Sequence, residues 1–190
     1  EMTIPRGHVF QTVFDGVSYD FVTTDTNKPT QNSTTFNYSN VEISQGAYMV
    51  DSFVYDRQIK NSKFVLSNER VDRSKLSVVV NSGGVSETYA LSTDISTIST
   101  TSKVYYTQEN EEGYLEIYFG DGVLGNELLD GDIITATYIV VDAEHADGAK
   151  TFQQITAVNG YSDSVITTRQ NSTGGAEKES IESIKFKANK

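Results

Sequence analysis

Glu116 stands between Tyr114 and Tyr118, with Asp121 in the turn that follows. Carboxylates framed by aromatic rings suit glycoside hydrolysis, where one acid protonates the leaving oxygen and the second attacks or activates water. The competing reading is an exposed strand face beside a turn. That arrangement is far commoner, so no catalytic residue is assigned and no enzyme is expected. Asp121, Asp130 and Asp132 gather carboxylate oxygens of the kind calcium prefers. Their order fits neither an EF-hand loop nor a glycine-rich calcium repeat, so no metal site is assigned. Gly120, Gly122 and Gly125 could wrap a phosphate, yet no Lys follows and no helix is expected to start there. His8 and His145 have neither a Cys nor a nucleophile-elbow Ser to work with. No cofactor is expected.

The same residues make better sense as architecture. In the string Tyr118-Phe119-Gly120-Asp121-Gly122-Val123-Leu124-Gly125 the three glycines permit positive φ in a compact loop. Asp121 can fold its carboxylate onto loop N–H groups. Phe119 and Leu124 can anchor the loop in apolar surface. Gly131, within Asp130-Gly131-Asp132, then opens the next strand. Phe119, Gly120, Asp121, Gly122, Gly125 and Gly131 are therefore assigned to a rigid connector.

What must position that connector is β structure. The 190 residues include 19 Val, 13 Ile and 21 Thr against 7 Leu, 9 Ala and 2 Met, a balance that favours strands over helices. The chain is long enough for one or two domains with real cores. A net charge of −11 opposes a grip on nucleic acid, which needs an excess of Lys and Arg. No apolar run approaches the roughly 20 residues of a membrane helix. The start has no secretory leader pattern, and without Cys there is no disulfide or thiolate chemistry.

Charge is uneven along the chain. Between Lys103 and Lys150 there are eleven acids and no Lys or Arg, which accounts for the whole net charge. A basic cluster precedes it: Arg57, Lys60, Lys63, Arg70, Arg73 and Lys75. The acidic stretch can simply be a solvated face. Alternatively the two patches steer subunits together, with Arg57, Lys60, Lys63, Arg70, Arg73, Glu109, Glu111 and Glu112 as candidate interface residues.

Asp15-Gly16, Asp121-Gly122, Asp130-Gly131, Asp147-Gly148 and Asn159-Gly160 all read as hairpin dipeptides, because type I′ turns need positive φ at both central residues. The first predicts a hairpin of 9–14 with 17–22. Further strands are expected at 35–44, 48–55, 63–66, 76–80, 87–91, 103–108, 114–119, 132–141, 151–157 and 164–168. In 114–119, Leu115, Ile117 and Phe119 share one face. Residues 132–141 are apolar on both faces, as in a strand covered on both sides. Asp94 can cap one helical turn over 95–98. Residues 24–35 and 142–150 are polar junctions and candidate hinges. After Gly174-Gly175 the period changes: Ile181, Ile184 and Ala188 make a helical stripe, with acids near its start and lysines near its end. The expected architecture is mostly β. An antiparallel β-sandwich would span 33–144, a small second β unit would join 1–32 with 145–175, and a C-terminal helix would span 176–190.

Three strings also resemble a family. Phe119-Gly120-Asp121-Gly122-Val123-Leu124-Gly125, then Gly131-Asp132-Ile133-Ile134 and Tyr138, is similar to the FGDGxxG…GdxIxxxY signature of the baseplate J-like wedge proteins of contractile-tailed phages. Gly174-Gly175 through Glu179-Ser180 and Ile184 resembles the start of that family's helix, and Ile4-Pro5-Arg6-Gly7 with residues 19–23 its opening hairpin. The strings occur in the family's order over nearly the whole chain. The resemblance implies an internal fragment of a virion structural protein, assembled in the host cytoplasm. It implies copies that contact each other (as a dimer or ring) and other wedge proteins, surround the tail hub, and pass on the shape change that releases sheath contraction. The equivalent subunit of a type VI secretion or pyocin particle fits as well. From the residues alone, a carbohydrate-binding, adhesin-type tail module stays open as the alternative.

Overall fold

The computed structural model describes residues 2–32, 35–60, 62–141 and 143–175. Among these, the strands in chain order are β1 (Val9–Phe14), β2 (Val17–Thr23), β3 (Thr30–Asn32), β4 (Thr35–Asn37), β5 (Ile43–Gln45), β6 (Ala47–Val54), β7 (Phe64–Val65), β8 (Val71–Ser82), β9 (Val85–Leu91), β10 (Val104–Glu109), β11 (Leu115–Phe119), β12 (Ile133–Val140) and β13 (Gln153–Gln154). Single 3-10 turns occupy Ile95–Thr97 and Ala143–Ala146. The protein is mostly β, as its composition demands. The expected helix over 176–190 lies outside the described residues.

Turn chemistry separates the Asp-Gly pairs. Asp15 and Gly16 both have positive φ, 49° and 80°, and β1 and β2 pair in register from Phe14↔Val17 to Val9↔Val22. Asn159 and Gly160, at 49° and 88°, close the Val158↔Tyr161 bridge in the same way. Gly83 and Gly84 do so between β8 and β9. At Asp121-Gly122, Asp130-Gly131 and Asp147-Gly148 only the glycine turns positive. These three are not two-residue hairpin loops. Each Asp instead accepts hydrogen bonds from backbone N–H groups: Val123 and Leu124 for Asp121, Arg57 for Asp130, and Gly175 for Asp147.

The chain divides into two compact units, one of residues 1–47 with 141–190 and one of residues 48–140. The boundaries differ from 33 and 144 because β5 pairs with β2, from Phe21↔Gln45 to Thr23↔Ile43, and so carries residues 35–47 into the first unit.

That first unit holds a four-stranded sheet in the order β13-β1-β2-β5 and a separate β3–β4 pair. Phe21, Ala146 and Ala149 form its buried cluster, with Phe14, Tyr19, Ile43 and Phe152 packed around them. Residues 24–35 are more than a polar linker. Ile4 and Asn27 exchange backbone hydrogen bonds of 2.9 and 2.8 Å, and β3 lies within the stretch. Residues 164–168 form no strand, although their composition favours one.

The second unit is one sheet of seven strands, ordered β6-β12-β8-β9-β10-β11-β7. Its core is the inward face of that sheet: Phe64, Leu66, Val78, Val80, Tyr89, Tyr105, Leu115, Ile117, Ile134, Ala136 and Tyr138 are all buried. Phe53 of β6 meets Phe64 of β7 at 5.4 Å between ring centroids, so the two edges of the sheet come together. The unit is therefore a nearly closed barrel, where a sandwich of two facing sheets was expected. A twisted sheet with a single apolar face covers that face by curling on itself. Nor is the sheet purely antiparallel: β9 and β10 run parallel, Val104 beside Ala90, after a connection that contains the 3-10 turn. Asp94 caps that turn as expected, accepting from Ser96 N at 2.9 Å.

The apolar run in β12 is covered on both faces towards its end, as expected, but not at its start. Ile134, Ala136 and Tyr138 face the core, whereas Ile133 is 44% exposed. The pairing with β8 slips between Thr137 and Ile139. The extra residues of this irregularity lie on β8, between Ser77 and Asp72, so the alternation in β12 is kept: Val140 packs on the core with Tyr138, and Ile139 on the other face is fully buried as well.

Candidate functional site

The connector assigned from the sequence is built by backbone contact. Asp121 Oδ1 accepts from Val123 N at 3.1 Å and Leu124 N at 3.2 Å, the Asx geometry expected. These bonds, that from Leu124 first, hold the Asp121 carboxyl below the usual carboxylate range. Gly122 N donates to Gly125 O at 3.1 Å, and Gly120 bridges to Glu127. A Cβ on Gly120 would lie 2.3 Å from Leu124 O and 2.6 Å from Gly125 C, so the residue is glycine for want of space. Gly125 combines a φ of 97° with a closest approach of 2.9 Å to Val104. Phe119 anchors the loop, meeting Phe64 and Tyr89 edge-on at 5.9 and 5.5 Å. Leu124 does not: its side chain is 44% exposed. What Leu124 contributes is its carbonyl, which accepts from Tyr106 OH at 3.2 Å. Gly131, at φ 86°, leads into β12.

The acids weighed for calcium are occupied separately. Asp130 Oδ1 accepts from Arg57 N at 3.0 Å, and buried Asp132 accepts from Leu129 N at 2.8 Å. Among the described residues no three acid or His side chains are grouped to hold a metal.

Glu116 lies on the face of β11 opposite Leu115 and Ile117, as the alternation predicts, but that face is not exposed at Glu116, which is buried beneath Gln108 and Lys63. Gln108 Nε2 donates to it at 2.6 Å and Lys63 Nζ lies 3.1 Å away. The Gln108 bond first, then Lys63, keep its pKa below the ordinary glutamate value. Beside this pair Tyr106 and Tyr118 stack at 5.2 Å, with ring planes 18° apart. Arg73 reaches Glu109 at 2.7 Å. Three of the eight candidate interface charges, Lys63, Arg73 and Glu109, are thus paired within the unit, and all eight, with Arg57, Lys60, Glu111 and Glu112, are exposed. The backbone N–H of Arg70 donates to Asn68 Oδ1 at 2.9 Å.

His8 is buried beside Phe10, with Nδ1 3.4 Å from Thr156 Oγ1. Burial lowers its pKa, which favours the neutral ring. His145 lies in the last turn of the 3-10 segment, exposed.

Sequence reasoning missed the group that ties the barrel's edges. Asp51, in β6, accepts from Ser67 N at 2.8 Å and Ser67 Oγ at 2.8 Å, just beyond β7. Tyr138 OH, from fully buried Tyr138 of β12, donates to Asp51 Oδ2 at 2.7 Å. The local signal is a carboxylate followed by Ser52 between Met49-Val50 and Phe53-Val54 in a mainly apolar strand. Partial burial pushes the Asp51 pKa up, but the three hydrogen bonds outweigh it and the net shift is downward. A depressed carboxyl contributes stability above the unfolded-state value and loses it as pH falls through the folded one. The urea midpoint is therefore expected to hold down to about pH 4 and to fall steadily below it. Asp51→Asn should flatten part of that fall. A midpoint equally steep in both proteins would show that other carboxylates carry it.

A nearly closed barrel, locked across its seam and bearing a backbone-built connector, defines a stiff β module of the kind used in assemblies. Residues 49–152 match the family described as bacteriophage baseplate wedge protein gp6, third domain. The match covers more than half of the chain, including the barrel from its second residue onward, and the chain belongs to this family. It is thus a structural piece of the phage tail baseplate, a part of the virion that meets other baseplate proteins. No curated protein matches the chain.

Proposed function

We propose that this chain serves as a rigid wedge module in a ring around the tail hub, and that it passes displacement at one interface to another during sheath contraction. The family match over 49–152 carries the reading. Two features support it. The barrel seam closes through Asp51, and the Gly120 turn leaves no slack, so an applied load moves the unit as a body and not by internal deformation. The proposal includes no catalysis. A glycosidase acid needs a raised pKa, whereas Glu116 is held low by Gln108 and Lys63.

Electron microscopy of the full-length protein with its neighbouring wedge proteins tests the reading. The barrel is expected in density that encircles the hub, in contact with subunits on both sides. Density confined to a peripheral fibre, or binding to a glycan array, would favour the carbohydrate-binding alternative. Cell-wall polymer hydrolysis that Glu116→Gln abolishes would overturn the non-catalytic part.

A further inference from the structure

In the first unit, residues 162–168 read Ser-Asp-Ser-Val-Ile-Thr-Thr, a sequence suited to a strand. They are exposed almost throughout: Val165 is 99% and Ile166 37% accessible. Among the described residues, none of the seven makes a hydrogen bond. Water satisfies those backbone groups, so the conformation is allowed, but a run of β-branched residues with every N–H and C=O open is a strand without its neighbour.

The neighbour it needs is a free sheet edge, and the same unit has one. β13 ends the order β13-β1-β2-β5 and, among the described residues, pairs as a strand with β1 alone. Its residues Gln153 and Gln154, with Phe152, form one wall of a cleft of about 400 Å³, and residues 162–166 form the other. An open edge and an open strand thus face each other across a gap on one chain.

We propose that the cleft is a strand-exchange site between two copies of this chain: residues 164–168 of one copy add to the β13 edge of the other, and reciprocally. The occupant follows from self-complementarity. Each copy carries both halves of the missing ladder, so a two-fold arrangement satisfies both edges at once and closes. Val165 would then leave solvent for the second copy's surface. Charge does not oppose it, since Asp163 is the single ionisable residue in 162–168 and β13 has none.

Hydrogen exchange and sedimentation of the 190-residue chain over a concentration series test this. The expected result is a dimer at high concentration, with amides of 164–168 and β13 slowed roughly tenfold or more as it forms. Val165→Pro removes one N–H from the added strand at a position with no internal contact, so it should abolish both effects while leaving the urea midpoint unchanged. Val165→Lys should weaken them, since a charge on the strand discourages pairing. Three outcomes would overturn the proposal: fast exchange of 164–168 at every concentration, protection independent of concentration (closure on its own β13), or a dimer indifferent to Val165→Pro. None of them touches the wedge reading, which rests on the location of the barrel around the hub.

Discussion

Gly120→Ala is expected to destabilise the barrel unit by about 3 kcal/mol, at the upper end for overpacking, because the atoms in the way belong to the backbone. The new methyl would meet Leu124 O at 2.3 Å, Gly125 C at 2.6 Å and Gly125 Cα at 2.7 Å. A flexible side chain could swing aside, but here the loop itself must move. Moving it strains the Gly122–Gly125 hydrogen bond, the Gly120–Glu127 bridge, and the bond from Asn126 N to Ser102 O that fastens the loop to the start of β10. Gly131→Ala is the control. Nothing lies within 4 Å of a Cβ there, and only its φ of 86° opposes the substitution. That change should cost about 1–2 kcal/mol, the usual penalty for a left-handed L residue. Urea unfolding of the two variants measures the difference. Equal losses would mean that conformation and not close approach demands glycine at 120.

The second large effect belongs to the barrel seam. Asp51→Ala strips the acceptor from Ser67 N, Ser67 Oγ and Tyr138 OH together. Tyr138 is fully buried, so its hydroxyl keeps only the Ser67 hydroxyl at 3.2 Å. Losing a charged acceptor shared by three donors, and leaving the buried hydroxyl with one longer partner, is expected to cost about 2–3 kcal/mol. Tyr138→Phe removes the donor with its need and should cost about 1 kcal/mol. Because the two groups touch, the double variant should be less damaging than the two losses added, with a coupling of about 1–2 kcal/mol. Additive losses would show that Asp51 serves the β7 edge through Ser67 alone. The Phe53–Phe64 contact spans the same seam, so Asp51→Ala should also speed exchange of the β7 amides more than those of β8 at the centre of the sheet.

Both residues bear on what could be read in advance. Gly120 was legible as part of a connector because three glycines and an Asp at fixed spacing describe a turn by local chemistry alone. The Asx bonds of Asp121, the cap at Asp94 and the paired positive φ values at Asp15-Gly16 are local in the same sense: each joins groups a few residues apart. The alternation in β11 likewise placed Leu115, Ile117 and Phe119 inward and Glu116 on the opposite face before any neighbour was known.

Other features were out of reach for an equally physical reason. Asp51 and Tyr138 are 87 positions apart, and nothing in either neighbourhood encodes the meeting. Three of the five hairpin dipeptides became something else because the strands on either side of them pair elsewhere. Residues 164–168 have the composition of a strand and no strand partner among the described residues, since a strand is completed by its neighbour and not by its own propensity. The amino-acid sequence by itself determined that this protein would be built of strands, where many of its bends would fall and which side chains would face inward, because these follow from backbone sterics and a two-residue period. The tertiary structure alone decided that one sheet would curl until its edges met and that Asp51 would fasten them, because closure depends on contacts whose partners are distant in the chain and become neighbours only once the sheet has formed.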